Sequence, residues 1–271
     1  MTQDDWLTAH PYLLSIAAFH AQVEKALLGL PSAVARLPNW DDYEGAYLAG
    51  LPLLQSCGST IDLRPVGTTL EALIEKLGSA PLPDNLLQGI RELQGELHRD
   101  ADALQRAVVK LLDPNSRASI DCGLLQYLGW TVMAHYLSRV VDGFGNWRDE
   151  ESWLRRYCPT CGSLPAMAQL VGLDPGRLRF LSCGRCGTRW RYRRTGCPFC
   201  QNEDDARLGA ILVGEETDLR IDYCDCCNGY IKTYDGRGNE SMLLADWTSL
   251  HLDIIARDQG LNRLAVSLYE M

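Results

Sequence analysis

No stretch of this chain approaches the roughly 18 consecutive apolar residues that cross a bilayer, so no membrane span is expected. Basic residues are in deficit, 26 Lys+Arg against 35 Asp+Glu for a net charge of -9. That balance argues against a surface built throughout to neutralise phosphates or anionic lipid. The first twenty residues contain Asp4 and Asp5 and no basic cluster, which is not the pattern of a secretory leader. There is no P-loop, dinucleotide fingerprint or nucleophile elbow. The five histidines, His10, His20, His98, His135 and His251, are scattered, and none has a cysteine or carboxylate at ligand spacing. The expectation is a soluble, cytoplasmic protein, where thiols stay reduced and dense cysteines point to metal rather than to disulfides.

What the chain does have is 271 residues with 46% hydrophobic content, enough for one large or two moderate cores. Its cysteines divide it. Cys57 and Cys122 precede residue 150, and the other nine of the eleven fall between Cys158 and Cys227. A domain boundary is therefore expected near residues 143–155.

Before that boundary the apolar period is helical. Leu70, Leu73, Ile74 and Leu77 follow the i, i+3, i+4, i+7 template, with Thr68 and Glu71 as a capping box and Gly78 as a stop. A longer stripe runs Leu86, Ile90, Leu93, Leu97, Leu104, Val108, Leu111 and ends before Pro114. Leu124, Leu125, Leu128, Val132, Tyr136 and Val140 make a stripe apolar enough for the centre of a bundle. Tyr12–Leu30 and Tyr43–Leu54 add two further helical segments, with prolines 31, 38 and 52 as interruptions.

After the boundary the period becomes two. Leu178 and Phe180 alternate with Arg177 and Arg179, Trp190 and Tyr192 with Arg189, Arg191 and Arg193, and Leu219, Ile221 and Tyr223 repeat the pattern of short strands. Met242 to Gln259 returns to helical spacing.

Four CxxC knuckles dominate this half: Cys158/Cys161, Cys183/Cys186, Cys197/Cys200 and Cys224/Cys227. Two thiolates three residues apart in a tight turn can occupy adjacent corners of a tetrahedron, with nearby backbone N–H groups donating to the sulfurs. Gly162, Gly187 and Asn228-Gly229 suit the positive φ that such turns require. Consecutive pairing assigns Cys158, Cys161, Cys183 and Cys186 to one ion, and Cys197, Cys200, Cys224 and Cys227 to another. Cys197 follows Cys158 by 39 residues and Cys224 follows Cys183 by 41, so the second unit restates the first.

Knuckle, short strands, knuckle is the plan of a zinc ribbon or a rubredoxin. Crossed pairing, as in RING-type modules, and metal-free disulfides or redox pairs are the rivals. A closed four-sulfur site has no open position for water, which disfavours hydrolytic metal chemistry. Zinc would make the sites structural and iron would make them coloured and redox-capable, and thiolates accept both. Cys226 is a third thiol inside the fourth knuckle, either exchangeable with a ligand or a spare side chain pointing outward. Cys57 and Cys122 read as small buried residues.

Seven arginines between Arg177 and Arg194, interleaved with Trp190 and Tyr192, admit a nucleic-acid platform. On a net negative chain the favoured reading is a solvated sheet face whose Arg stems cover apolar surface, or a patch for an acidic partner.

The knuckles in this order resemble the formate dehydrogenase accessory protein FdhE family. The residues that carry the likeness are Cys158-Pro-Thr-Cys-Gly-Ser-Leu-Pro165, Arg179-Phe-Leu-Ser-Cys183 leading through Cys186 to Trp190, and Cys224–Cys227 followed by Gly229-Tyr230-Ile231-Lys232-Thr233. Asp246 to Leu250, Leu252-Asp253 and Gly260 to Arg263 add to it.

The resemblance implies a cytoplasmic assembly factor, without turnover of its own, that binds the catalytic subunit of a respiratory formate dehydrogenase before export. It also implies rubredoxin-like sites that hold iron, and at Cys226 it would lead one to expect a residue other than cysteine. The expected architecture is an all-helical domain over 1–150, two tandem rubredoxin-like or zinc-ribbon modules over 151–195 and 196–238, and a C-terminal helical segment over 239–271.

Overall fold

The computed structural model describes residues 2–31, 34–56, 61–99, 103–111, 123–172, 176–214, 216–235 and 245–269. Cys57 and Cys122 lie outside them. The described chain forms two compact units, Met1–Asn39 with Ser59–Phe144 and Leu268–Met271, and Trp40–Gly58 with Gly145–Ser267.

The first unit is helical: α1 (Gln3–Ala9), α2 (Leu14–Leu28), α4 (Arg64–Leu77), α5 (Asp84–Arg99), α6 (Ala103–Leu111) and most of α7 (Gly123–Trp147). The stripe Leu70, Leu73, Ile74 and Leu77 is at most 1% exposed. Full burial of each such side chain contributes about 1.5–3 kcal/mol. In α7 the buried set Tyr127, Leu128, Trp130, Val132, Met133, Tyr136, Leu137 and Val140 wraps round the helix, as befits a central element.

One expectation here needs correction. Thr68 and Glu71 do not cap α4, because the helix begins at Arg64 with Pro65 in its first turn, where a missing N–H and a fixed φ suit the start. Asp62 accepts from Arg64 N at 3.0 Å there. The described parts of the stripe from Leu86 to Leu111 lie in α5 and α6, and residues 100–102 between them lie outside the described residues.

The second unit holds α3 (Glu44–Ala49), α8 (Glu150–Trp153), α9 (Leu250–Asp258) and, among the described residues, all the strands: β1 (Met167–Val171), β2 (Leu178–Ser182), β3 (Arg189–Tyr192), β4 (Leu208–Val213), β5 (Glu216–Cys224), β6 (Gly229–Tyr234) and β7 (Asn262–Arg263). They form one sheet ordered β3-β2-β1-β6-β5-β4, with β7 beside β6.

Each half is an antiparallel meander, β1-β2-β3 and β4-β5-β6. The halves join where β1 runs parallel to β6, Met167 opposite Lys232. The tandem ribbons expected from sequence thus share a continuous sheet, a topology that period-two patterning cannot specify. In β2 the burial runs opposite to simple alternation of apolar in and basic out: Leu178 is 39% exposed while Arg179 and Leu181 are buried.

Candidate metal centres

The four knuckles are built alike. A backbone N–H closes each of the first three by reaching back to its leading cysteine: Gly162 to Cys158 O (2.9 Å), Gly187 to Cys183 O (3.2 Å) and Gln201 to Cys197 O (3.0 Å). The leading cysteine's own N–H donates five residues ahead, Cys158 to Ser163 O, Cys183 to Thr188 O and Cys197 to Asn202 O, at 2.8–2.9 Å. In the fourth, Cys224 and Gly229 pair across the β5–β6 turn.

The residue after each second cysteine has positive φ: Gly162 (81°), Gly187 (73°), Gln201 (64°) and Asn228 (54°). Glycine and asparagine adopt this region readily. Gln201 does so against its preference, which is why residue type flagged three of these turns and not the fourth.

These turns gather the eight sulfurs into two groups, Cys158/Cys161/Cys183/Cys186 and Cys197/Cys200/Cys224/Cys227, with the atoms of each group within 4.8 Å of one another. In the first, Cys158–Cys186 is 3.5 Å, Cys161–Cys183 3.4 Å and Cys161–Cys186 3.7 Å. In the second, Cys197–Cys227 is 3.6 Å and Cys200–Cys224 3.7 Å. A tetrahedron with metal–sulfur arms near 2.3 Å has edges of about 3.8 Å, whereas a disulfide needs about 2.05 Å. The spacing therefore fits a tetrathiolate ion in each group, and the grouping is the consecutive one.

The charge pattern in the first group fits a cation as well. Burial pushes the Cys158 and Cys186 thiols up, while hydrogen bonds from Cys158, Cys183 and Cys186 pull Cys161 down. Burial makes charge on these thiols costly, and a divalent ion would offset that cost by binding all four as thiolates. Around this group Thr160 and Thr188 share a 2.8 Å hydroxyl contact, and the Thr188 and Ser163 hydroxyls lie 3.2 and 3.3 Å from Cys186 and Cys161 Sγ.

A segment the sequence reading placed with the helices covers this first group. Leu53 N donates to Pro159 O at 2.8 Å, Leu54 N to Thr160 O at 2.9 Å and Tyr157 OH to Gly50 O at 2.8 Å. Gly162 is needed there for its φ of 81°, since a Cβ would meet only the movable end of the Gln55 side chain, Nε2 at 2.4 Å. The segment is α3 between single 3-10 turns at Trp40–Asp42 and Leu53–Gln55 rather than one helix over Tyr43–Leu54. Gly50, at φ 85°, ends it.

The second group is more open. Cys197 and Cys224 are buried, Cys227 is half-buried, and Cys200 and the adjacent Cys226 are exposed. Phe199 N–H donates to Cys197 Sγ at 3.4 Å. Burial pushes Cys197 up. At Cys224 burial acts upward too, but the Cys227 and Cys226 backbone N–H groups and neighbouring thiols bring the net shift down.

The arginines of the basic stretch are largely engaged inside the unit. Arg177 pairs with Asp235, Arg191 with Glu151 and Arg193 with Glu203, and Arg189 reaches Gln169. Trp190 and Tyr192 are 0% and 2% exposed, so neither ring is offered to a base. Trp190 Nε1 instead donates to Arg155 O at 2.9 Å.

Sequence reasoning missed a buried ionic cluster built on β6, the strand that follows the fourth knuckle. Lys232, 1% exposed, lies 2.7 Å from Asp246 and 2.8 Å from Asp253. Arg263 bridges the same two carboxylates at 2.7 and 2.9 Å. Tyr230 OH donates to Asp253 and Ser267 Oγ to Asp246, each at 2.8 Å. Two cations balance two anions, which fastens α9 and β7 to β6. The signal was present in the Gly-Tyr-Ile-Lys-Thr, Asp246, Leu252-Asp253 and Gly260–Arg263 motifs, which have no metal-binding chemistry of their own and converge here.

The fold and sites define a protein with a helical unit and a sheet unit whose eight knuckle cysteines form two tetrathiolate groups. No helix among the described residues is long and apolar enough to cross a membrane. The family described as FdhE, central domain, matches residues 157–194.

A "Protein FdhE homolog" of Aquifex aeolicus is 36% identical over 115 residues, 41% of either chain. One from Stutzerimonas stutzeri is 29% identical over 218 residues, 74% of this chain and 66% of its own. "Protein FdhE" of Escherichia coli is 29% identical over 142 residues, 51% of this chain and 45% of its own, so several of these matches span less than half of the relative's length. The crystal structure of the FdhE protein from Pseudomonas aeruginosa shares the fold, with a TM-score of 0.63 at 23% identity over 93% of this chain and 86% of that one. The chain is thus similar to FdhE proteins in sequence over its knuckle region and in fold over most of its length.

Proposed function

We propose that this chain is a cytoplasmic accessory factor that binds the catalytic subunit of a respiratory formate dehydrogenase and assists its assembly before export, with two rubredoxin-like tetrathiolate ions shaping the client surface. The observation that carries the reading is a pair of four-sulfur groups in a chain whose residues 157–194 match the FdhE central domain. Four sulfurs per ion leave no position for a substrate or an activated water, so the sites suit structure or electron exchange better than hydrolysis. The eight ligands proposed are Cys158, Cys161, Cys183, Cys186, Cys197, Cys200, Cys224 and Cys227. A small ribbon cannot form a core alone, so the bound ion carries folding free energy. The chain's own residues supply orientation: knuckle N–H groups and the Thr188 and Ser163 hydroxyls hold the sulfurs in place.

The test is capture of the formate dehydrogenase catalytic subunit by tagged full-length chain, alongside metal analysis and a visible spectrum of freshly purified protein. Colour with stoichiometric iron would support the iron assignment suggested by the resemblance, and colourless zinc protein would favour a purely structural role. Cys183→Ser is expected to lower metal content and client capture together. Capture that survives with the metal gone would refute the structural role. An iron-dependent redox function is the second reading, favoured by the exposure of Cys200 in the second group. It requires a reversible visible spectrum with electron transfer to a defined acceptor.

A further inference from the structure

Arg185 stands inside the second knuckle, between Cys183 and Cys186, and is only 4% exposed. The equivalent positions of the other knuckles hold Thr160, Phe199 and Cys226, so a charge here is particular to this turn. Arginine is almost never fully buried unless its charge is matched.

The chemistry of the neighbours fixes which way the hydrogen bonds run. Arg185 Nη1 lies 3.2 Å from Ser163 Oγ, and that oxygen lies 3.3 Å from Cys161 Sγ. No other hydrogen-bond partner of the hydroxyl lies among the described residues. A guanidinium has donors and no acceptor, and a serine hydroxyl carries a single hydrogen. Ser163 Oγ therefore accepts from Arg185, which leaves its hydrogen for Cys161 Sγ. The sulfur is an acceptor with a cation behind its donor.

Four thiolates around a divalent ion leave surplus negative charge, and all four cysteines of this group are 0–4% exposed. Net charge in a dry interior is costly unless an opposite charge meets it. We infer that Arg185 is a positioning residue for the first ion: through Ser163 it holds the Cys161 sulfur as a hydrogen-bond acceptor, and its charge favours the reduced, more negative state of the bound ion. Hydrogen bonds to sulfur and local net charge are the terms by which a protein sets the potential of thiolate-bound iron. The inference rests on the tetrathiolate reading of the first group and not on client binding.

The test is spectroelectrochemical titration of the full-length, iron-loaded chain, the electrode supplying one electron to each ferric ion. Cys200→Ser serves as the background, with metal analysis confirming one ion per chain, so that the first site alone is read. Arg185→Met should shift the equilibrium about tenfold toward the ferric ion, a potential about 59 mV lower for one electron. Ser163→Ala, which keeps the charge and loses the relay, should move it the same way by less. Arg185→Lys should recover most of the loss, because the charge is retained. A packing role alone would move the urea midpoint in the Met and Lys variants alike and leave the potential in place. If Arg185→Met leaves the first site empty, Ser163→Ala decides. An unmoved potential in the deciding variant, or a Lys variant displaced as far as the Met one, would overturn the assignment. A chain that takes up no metal at all removes the tetrathiolate reading itself, whereas a loaded first site with an unmoved potential removes this inference alone.

Discussion

The two sulfur groups share one local design and differ in what surrounds them. The first is enclosed: its four cysteines are 0–4% exposed, flanking hydroxyls touch two of its sulfurs, and the Gly50–Gln55 segment hydrogen-bonds across its leading knuckle. The second has an exposed Cys200, a half-buried Cys227 and a cavity against Cys197 and Cys224. Similar turns would thus hold one ion that only unfolding should release and one that local opening should release. Ligand type sets what binds, and enclosure sets how fast it exchanges.

The sharpest way to break that contrast is to remove one sulfur from each group. Cys183→Ser should take metal from two ions per chain to one and unfold the β1-β2-β3 half, because structural tetrathiolate sites supply about 10–16 kcal/mol, comparable to the whole stability of a domain. Cys200→Ser should also lose one ion but cost much less, since water can reach the vacated corner. Metal per chain and the urea midpoint measure both. Equal destabilisation by the two variants would erase the distinction.

The next largest effect concerns what supports the open group. Lys232 sits on β6, a short way along the chain from Cys227, and Lys232→Met leaves Asp246 and Asp253 to share Arg263 alone. Breaking a buried pair this way costs about 3–5 kcal/mol, and it should loosen the second ion more than the first. The pH dependence follows with a definite sign. Burial alone would raise the Asp246 pKa, but Lys232 and Arg263 hold it far below the ordinary carboxylate value. A depressed carboxylate contributes stability above its unfolded pKa, near 3.9, that is lost as pH falls below it. Acid titration of folding by circular dichroism should therefore show a stability loss below about pH 4 that is smaller in Lys232→Met. Identical acid limbs in the two proteins would remove the cluster from the account.

A kinetic comparison needs no mutation. With excess chelator, metal release should be biphasic, the second group emptying on the order of tenfold faster than the first, which corresponds to about 1.4 kcal/mol less opening free energy. Assigning the phases with Cys200→Ser, which should abolish the fast one, completes the test. A single phase would mean that both ions leave through global unfolding.

Local chemistry was legible in the sequence and long-range packing was not. Thiol spacing gave the consecutive grouping, because a CxxC turn is a local object and the repeat of 39 and 41 residues marks two equivalent units. The helical stripe of α4 and the apolar girth of α7 were readable from period alone. The start of α4 was misplaced because Pro65, a good first-turn residue, outweighed a capping pattern that falls one turn inside. The parallel β1–β6 seam, the Gly50–Gln55 cover and the burial of Lys232 each join residues more than sixty apart, or hide a charge whose partners are distant in sequence. For Lys232 composition predicts the opposite, since lysine is rarely buried unless paired. The clue was a set of motifs with no metal chemistry to explain them.

The smallest expected effect isolates the remaining thiol. Cys226 is the one described cysteine outside both groups, and it is exposed beside Cys224 and Cys227. If the second group holds its ion through the four assigned sulfurs, Cys226→Ser should leave two ions per chain and change stability by no more than about 0.5 kcal/mol, the usual range for a surface substitution. In the metal-loaded protein, alkylation mapped by mass spectrometry should modify Cys226 and spare Cys200, because exposure alone does not make a thiol reactive when its sulfur is bound to metal. Were Cys200 alkylated instead, with Cys226→Ser costing an ion, the fourth knuckle would be using its middle sulfur, and the openness of the second site would reflect ligand exchange within the turn.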